Sequence, residues 1–204
     1  YNYRMAIVSP TWNMPEVFSN IKKKEFVCVT SVQNIPDADI LYLASPNGID
    51  GQLIDAEIVK SIAHHYKVVI VDEAYYDWHD EKTMYDIADN IVVLRTLSKS
   101  LGQAGLRFSY AIGNENIINF LQMHRPSCAS HSFMMPILEQ LLDSISGHVD
   151  RMKQVKFYLE KEFICSPTDA NFVIFKELPN NINLVKIKGN RMALCDMGIA
   201  KCLK

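Results

Sequence analysis

Short apolar runs, separated by stretches with helical spacing, are the feature that most limits what this chain can fold into. Five runs rich in β-branched residues lie in the first half, at residues 5–8, 26–29, 40–44, 68–71 and 91–94, and a sixth candidate follows at 108–112. Between them, residues 55–66 place apolar side chains at helical intervals. Strands that are apolar on both faces belong to parallel sheets covered by helices. The sequence therefore predicts the α/β class, with a mainly parallel sheet sandwiched by helices.

The pattern changes after residue 114. Three helices are predicted at 116–123, 134–145 and 148–162, followed by short strands at 171–176, 183–188 and 191–195. Helices followed by a few strands are typical of a small α+β unit. We therefore predict a large domain at 1–146 and a small C-terminal α+β domain at 147–204.

Composition narrows the class of partner. The 204 residues carry a formal net charge of -2, which disfavours a nucleic-acid-binding surface. No apolar run reaches membrane-spanning length, and no signal-peptide pattern opens the sequence. The five cysteines are odd in number and lack metal-ligand spacing. We expect a cytoplasmic protein with no metal site, no nucleic-acid partner and no membrane partner.

A carboxylate ends the strand predicted at 68–71. Asp72 follows this apolar run directly. Ligands of open α/β sheets bind at the carboxyl ends of strands, so Asp72 is placed to meet one. The alternative interpretation is that Asp72 only caps the turn that follows.

A lysine flanked by hydroxyl groups follows the next strand. Thr96, Ser98 and Lys99 come just after the run at 91–94, and Arg107 stands eight residues beyond the lysine. Hydroxyl groups and a guanidinium suit a phosphate. A lysine amine whose pKa is lowered by its surroundings suits a Schiff base. Each residue alone is more often an ordinary surface residue, so the interpretation depends on the combination.

Three segments together resemble the fold-type-I aminotransferases, which use pyridoxal 5′-phosphate (PLP). They are Asp-Glu-Ala-Tyr at 72–75, Thr-Leu-Ser-Lys at 96–99 and Gly-Leu-Arg at 105–107. Within that family the chain is similar to the histidinol-phosphate aminotransferase branch, through Ser-Pro-Asn at 45–47, Pro-Thr-Trp at 10–12 and the segments at 169–173 and 190–194. The resemblance extends over nearly the whole chain.

The resemblance implies a role for each matching residue. Lys99 would hold PLP as a Schiff base and shuttle a proton at the substrate Cα. Asp72 would pair with the pyridine nitrogen, so that the ring can withdraw electrons. Tyr75 would bond the ring hydroxyl.

Further residues would hold the phosphate, the ring and the substrate. Ser98 and Arg107, together with Thr96, would bind the phosphate. Trp12 would stack on the ring, and its alternative role is that of an ordinary core tryptophan. Arg191 would grip the substrate carboxylate in a two-pronged pair, and its alternative role is that of a surface arginine on an edge strand.

The resemblance implies an aminotransferase that moves an amino group between an amino acid, phosphorylated or not, and a keto acid. Its partners would be a small-molecule amino donor, a keto acceptor and a second copy of the chain in a homodimer. Two alternatives stay open. The same branch includes PLP-dependent decarboxylases of amino acids or their phosphates, and a non-catalytic remnant of the fold could serve as a binding module.

Two features depart from the family pattern. Gly48 stands where the family has an asparagine that bonds the PLP ring hydroxyl. Family chains also carry a portion before the Pro-Thr-Trp segment, with backbone amides that bind the phosphate, and this sequence begins at Tyr1. From the resemblance we expect the PLP phosphate to depend mainly on Ser98 and Arg107.

Overall fold

Six strands form the larger of two sheets. The computed structural model describes residues 2–102, 104–126, 134–176 and 191–193. The strands of this sheet are β1 (Arg4–Val8), β2 (Glu25–Val29), β3 (Ile40–Ala44), β4 (Val68–Asp72), β5 (Ile91–Thr96) and β6 (Ser109–Gly113). Their order is β2-β1-β3-β4-β5-β6, with β1 to β5 parallel and β6 antiparallel to β5. The predicted fold class is confirmed, with one antiparallel edge strand.

Helices alternate with these strands and then follow them. Those described are α1 (Met14–Ile21), α2 (Ala56–Ala63), α3 (Leu97–Ser100), α4 (Glu115–His124), α5 (Met134–Leu142) and α6 (Ile145–Glu162). The sequence did not predict α1, and α2 ends earlier than the predicted residue 66. Asn90 Nδ2 explains that end, because it donates 2.8 Å hydrogen bonds to the carbonyls of both Ala63 and Tyr66.

A second, antiparallel sheet lies in the C-terminal region. It contains β7 (Cys165–Ser166), β8 (Phe172–Phe175) and β9 (Arg191–Ala193). The strands predicted at 171–176 and 191–195 correspond to β8 and to β9. The strand predicted at 183–188 lies outside the described residues.

Two apolar clusters position the end of β4 and the loop that follows it. The larger one packs one face of the six-stranded sheet against α2, with Leu41, Leu43, Val59, Val69, Val71 and Val93 fully buried. The smaller one joins the loop after β4 to α6 and β8, through Tyr75, Trp78, Met152, Ala170 and Phe172. The loop that follows Asp72 is therefore held between the two sheets.

The described helices are all too short or too polar to cross a bilayer. In the same part of the chain, no group of three or more histidine, cysteine or acidic residues is arranged to hold a metal ion.

Candidate active site

The carboxyl ends of three neighbouring strands meet at one edge of the large sheet. Ala44, the last residue of β3, pairs with Asp72 at the end of β4, and Asp72 pairs with Leu94 of β5. The loop after β3, the loop after β4 and the start of α3 therefore leave the sheet side by side. This edge collects Asp72, Tyr75, Thr96, Ser98 and Lys99 of the predicted site residues.

Asp72 receives two hydrogen bonds from the protein. Its Oδ1 accepts the amide N–H of Ala74 at 3.0 Å, and its Oδ2 accepts the Tyr42 hydroxyl at 2.7 Å. Burial raises the pKa of Asp72, while the bonds from Tyr42 and Ala74 and the charge of Lys99 lower it. Asp72 does cap its turn, as the alternative interpretation held. An ionised carboxylate has about four lone-pair sites, so it can also accept a bond from a ligand.

Lys99 lies in the single helical turn after β5. The Thr96 hydroxyl caps that turn by accepting the Ser98 amide N–H at 3.2 Å. The Lys99 Nζ lies 5.5 Å from the centroid of the Tyr75 ring, and its charge acts on Asp72. The structure thus brings Asp72, Tyr75 and Lys99 together, although they span 28 positions of sequence.

Tyr75 lies beneath Lys99 with its ring buried. The edge of the ring meets Phe172 of β8 at 5.9 Å between centroids. A Cβ placed on Gly48 would lie 3.4 Å from Tyr75 Cε2 and 3.5 Å from the Tyr75 hydroxyl oxygen. A longer side chain at position 48 would have to pass around this ring, so Gly48 leaves the space to Tyr75.

The predicted phosphate ligands surround α3. Thr96 Oγ1 lies 3.0 Å from Ser98 Oγ and donates to the Phe108 carbonyl at 2.9 Å. Arg107 is exposed, has φ of 51°, and donates from Nη1 to the Ala104 carbonyl at 3.3 Å. The Phe108 carbonyl also accepts the Leu97 amide N–H at 3.3 Å, which ties the residue after Arg107 to the start of α3. The Thr96 hydroxyl is therefore committed to local structure, whereas the Arg107 guanidinium faces solvent.

No described contact joins Trp12 or Arg191 to Asp72, Tyr75 or Lys99. Trp12 is 56% exposed, so it is not a core tryptophan. Asn47 Nδ2 donates to the Pro10 carbonyl at 2.7 Å, which ties the segment of Trp12 to the loop after β3. Arg191 begins β9 opposite Ile174, and its side chain lies outside the described part of the chain.

Sequence reasoning missed a buried ion pair beside the site. Arg95 donates to Glu73 Oε2 from Nε at 3.0 Å and from Nη2 at 2.8 Å. Glu73 also accepts bonds from the Thr83 hydroxyl and the Met84 amide, and Arg95 stacks 3.4 Å above the Tyr76 ring centroid. The pair joins the residue after Asp72 to the residue before Thr96. Opposite charges at the ends of two adjacent apolar strands were the available signal.

Comparison with known proteins identifies a family and several relatives. Residues 21–200 match the sequence model of the family "Aminotransferase class I and II". The histidinol-phosphate aminotransferase of Thermoanaerobacter pseudethanolicus is 42% identical over 149 residues, which are 67% of this chain and 42% of that protein. The one from Pyrococcus furiosus is 28% identical over 190 residues, 84% of this chain and 56% of that protein. The chain spans about half the length of the curated relatives it matches.

Solved structures share the fold. Histidinol-phosphate aminotransferase from Sinorhizobium meliloti, in complex with pyridoxal-5′-phosphate, has a TM-score of 0.68 at 17% identity, covering 84% of this chain and 55% of that chain. L-threonine-O-3-phosphate decarboxylase from Porphyromonas gingivalis has a TM-score of 0.67 at 16% identity, covering 86% and 61%. At these identities the likeness concerns the fold alone.

The residues of the site fit PLP by their chemistry. Asp72 is a partly buried carboxylate with lone pairs left over for a pyridine N–H. Lys99 supplies the amine, Tyr75 a phenol, and Ser98 and Arg107 a hydroxyl and a guanidinium for a phosphate. The donor set thus matches each polar group of the cofactor.

Proposed function

Because this chain belongs to the aminotransferase class I and II family, we propose that it moves an amino group between an amino acid, phosphorylated or not, and a keto acid with PLP as cofactor. The observation that carries the proposal is the grouping of Asp72, Tyr75 and Lys99 at one sheet edge. Asp72 and Tyr75 come from the end of β4 and the loop after it, whereas Lys99 comes from α3, so the grouping joins the ends of two neighbouring strands.

The chain's residues have distinct tasks in this reaction. PLP, when bound, supplies a protonated ring that withdraws electrons from the substrate Cα. Asp72 holds the proton on the pyridine nitrogen, because a carboxylate favours the charged form of its partner. Lys99 would hold the cofactor through its Nζ and would carry the proton at the substrate Cα.

Other residues hold the cofactor and orient the substrate. Ser98 and Arg107 bind the phosphate through charge-assisted hydrogen bonds. Tyr75 donates to the ring hydroxyl from the position that Gly48 leaves open. Trp12 covers one face of the ring, and Arg191 grips the substrate carboxylate. These roles orient the substrate so that the Cα–H bond faces Lys99.

A spectroscopic titration tests cofactor binding. Adding PLP to the purified chain should produce a visible absorption band that borohydride abolishes, and mass spectrometry should then locate the reduced adduct on Lys99. Lys99→Ala should lose the band and reduce turnover by several orders of magnitude. Lys60→Ala, which removes an exposed lysine of α2, should leave both unchanged. A reducible band that persists in Lys99→Ala would contradict the proposal.

The nature of the product distinguishes transamination from decarboxylation. The structural likeness to a decarboxylase is the observation that keeps this second function open. With a carboxyl-labelled amino donor and a keto acceptor, the aminotransferase proposal expects a labelled keto acid. Release of labelled carbon dioxide would favour the decarboxylase, and neither product with bound PLP would favour a non-catalytic binding module.

We also propose that the chain works as a homodimer. Support comes from the family resemblance and from α4, whose ten residues are all at least partly exposed and include Phe120, Leu121 and Met123 with large exposed areas. Sedimentation at micromolar concentration with PLP present should give a dimer. A monomer under those conditions would overturn this part of the proposal.

A further inference from the structure

The tyrosine bonded to Asp72 does not come from the loops that form the rest of the site. Tyr42 lies in the middle of β3, and only 3% of it is exposed. Its hydroxyl donates to Asp72 Oδ2 at 2.7 Å, the shortest described bond to this carboxylate. Nothing in the roles assigned above uses this hydroxyl.

Strand register explains how the two side chains meet. Ala44 pairs with Asp72 and Tyr42 pairs with Ile70, so Tyr42 and Asp72 project from the same face, two residues apart along the strands. Two residues correspond to about 7 Å, a distance that a tyrosine ring can cover along the sheet. The contact is built into the rigid sheet and does not depend on loop conformation.

The two donors to Asp72 act differently. The Ala74 amide belongs to the turn that Asp72 itself begins, and it fixes one carboxylate oxygen. Tyr42 fixes the other oxygen from a neighbouring strand, which defines the plane of the carboxylate. A hydrogen bond to an ionised carboxylate also favours the ionised form. Burial raises the pKa of the Tyr42 hydroxyl most, and the negative charge of Asp72 raises it further. Tyr42 therefore keeps its proton and remains a donor.

The position of the proton shared between Asp72 and the pyridine nitrogen of bound PLP depends on how strongly the protein stabilises the Asp72 anion. When a carboxylate shares a proton with a pyridine nitrogen, stabilising the carboxylate anion leaves the proton on the nitrogen, and removing that stabilisation moves it to the oxygen. The groups that act on Asp72 among the described residues are Tyr42 from β3, the Ala74 amide and Lys99 from α3.

We propose that Tyr42 is a positioning residue that, through its bond to Asp72, keeps the proton on the pyridine nitrogen of bound PLP. This inference rests on the proposed function, because it assumes that Asp72 faces that nitrogen. Tyr42 would thus control the protonation state of the cofactor from the interior of the sheet, without touching the cofactor.

Tyr42→Phe tests the proposal, because it removes the hydroxyl and keeps the ring that fills the core. The chain is loaded with PLP labelled with ¹⁵N in the ring, and the ¹⁵N chemical shift reports whether the nitrogen is protonated. The wild type should show a protonated nitrogen, and Tyr42→Phe should shift the signal towards the unprotonated value. PLP affinity, from the absorption titration, should fall about tenfold. Tyr66→Phe changes another buried tyrosine, one that is not among the groups acting on Asp72, and should change neither quantity.

A double-mutant cycle keeps the proposal falsifiable. In an Asp72→Asn background, Tyr42→Phe should change PLP affinity less than twofold, because the carboxylate through which it acts is gone. An equal effect in both backgrounds, or an unchanged ¹⁵N shift in a folded Tyr42→Phe, would overturn the role of Tyr42. A wild-type chain that forms no reducible PLP adduct would instead overturn the proposed function and this inference with it.

Discussion

At the scale of single residues, two acidic side chains that are adjacent in sequence have different tasks. Asp72 faces the site and keeps lone pairs for a ligand, whereas Glu73 is 3% exposed and has its oxygens bonded by Arg95, Thr83 and Met84. Alternation along an extended chain sends neighbours to opposite sides, which separates the two carboxylates. Asp72 is therefore left available for the proposed chemistry, and Glu73 contributes to the rigidity of the frame.

The charge of Asp72 should destabilise the protein when no cofactor is bound. Burial is the main reason that the pKa of Asp72 is raised in the folded state, so the protonated carboxyl is favoured there. The stability that this protonated form contributes is fully present below pH 3.8 and is lost as the pH rises through the folded-state pKa. Asp72→Asn should therefore make the cofactor-free chain more stable to urea at neutral pH, with a gain that vanishes in acid. Asp86→Asn, at an exposed position, should show no such trend. A loss of stability in Asp72→Asn would instead indicate that turn capping dominates.

The Glu73–Arg95 pair should matter for stability far more than a surface pair. The two side chains are only 3% and 14% exposed, and removing one partner leaves a buried charge. Arg95→Leu should cost about 3 kcal/mol, the lower part of the range for buried pairs, because one edge of the guanidinium reaches solvent. Lys67→Met breaks a pair with Asp39 in which the lysine side chain is 79% exposed, and it should not change the urea midpoint measurably. Equal effects of the two substitutions would refute the distinction.

At the scale of elements, contacts between loops hold the region around the candidate site in place. The loop after β3 meets the loop before β8 where the Gly51 carbonyl accepts the Asp169 amide N–H at 2.7 Å. Gly51 has φ of +71°, and a Cβ there would lie 2.4 Å from Thr168 Cβ. Glycine is therefore required at this position for two reasons: the left-handed backbone conformation and the close contact with Thr168.

Gly51→Ala should destabilise the protein by about 2–5 kcal/mol. The left-handed conformation costs an alanine about 1–2 kcal/mol, and overpacking against Thr168 adds a cost of about 1–3 kcal/mol. Gly105→Ala is the matched control, because a Cβ at Gly105 meets nothing within 4 Å. Urea unfolding of both variants should show a change within about 0.5 kcal/mol for Gly105→Ala. A neutral Gly51→Ala would mean that the two loops do not approach as described.

At the scale of the whole molecule, the candidate site lies where the loop after β4 packs against α6 and β8. Tyr75 belongs to the candidate site and also to the cluster that contains Met152 of α6 and Phe172 of β8. A ligand held at this junction restrains elements from both regions of the chain. Binding should therefore be visible in the unfolding of the molecule as a single unit.

PLP should raise the thermal unfolding midpoint through mass action. At a concentration one hundred times its Kd, a ligand adds about 2.7 kcal/mol, which corresponds to about 5–10 °C for a chain of this size. Arg107→Ala removes charge-assisted bonds worth about 1.5–3 kcal/mol, so the same PLP concentration should give only about a tenth to a half of that shift. Arg151→Ala, an exposed arginine of α6, should keep the full shift. A full shift in Arg107→Ala would place the phosphate away from Arg107.

The sequence by itself determined the class of fold and predicted Asp72, Tyr75 and Lys99, which the structure brings together. Apolar runs of strand length predicted the parallel sheet because burial on both faces leaves no polar alternation. The order and spacing of Asp72, Lys99 and Arg107 led to the family because each position carries a residue type that cofactor chemistry needs. Local patterns of this kind can be read without knowing which strands are neighbours.

The tertiary structure alone decided the contacts between strands. The bond from Tyr42 to Asp72 depends on the register of β3 against β4, and the pair of Glu73 and Arg95 depends on β4 lying beside β5. Gly51 and Thr168 meet although 117 positions separate them. The register of neighbouring strands and the close contact of distant loops result from the packing of the whole core. A single sequence carries no local signal for either.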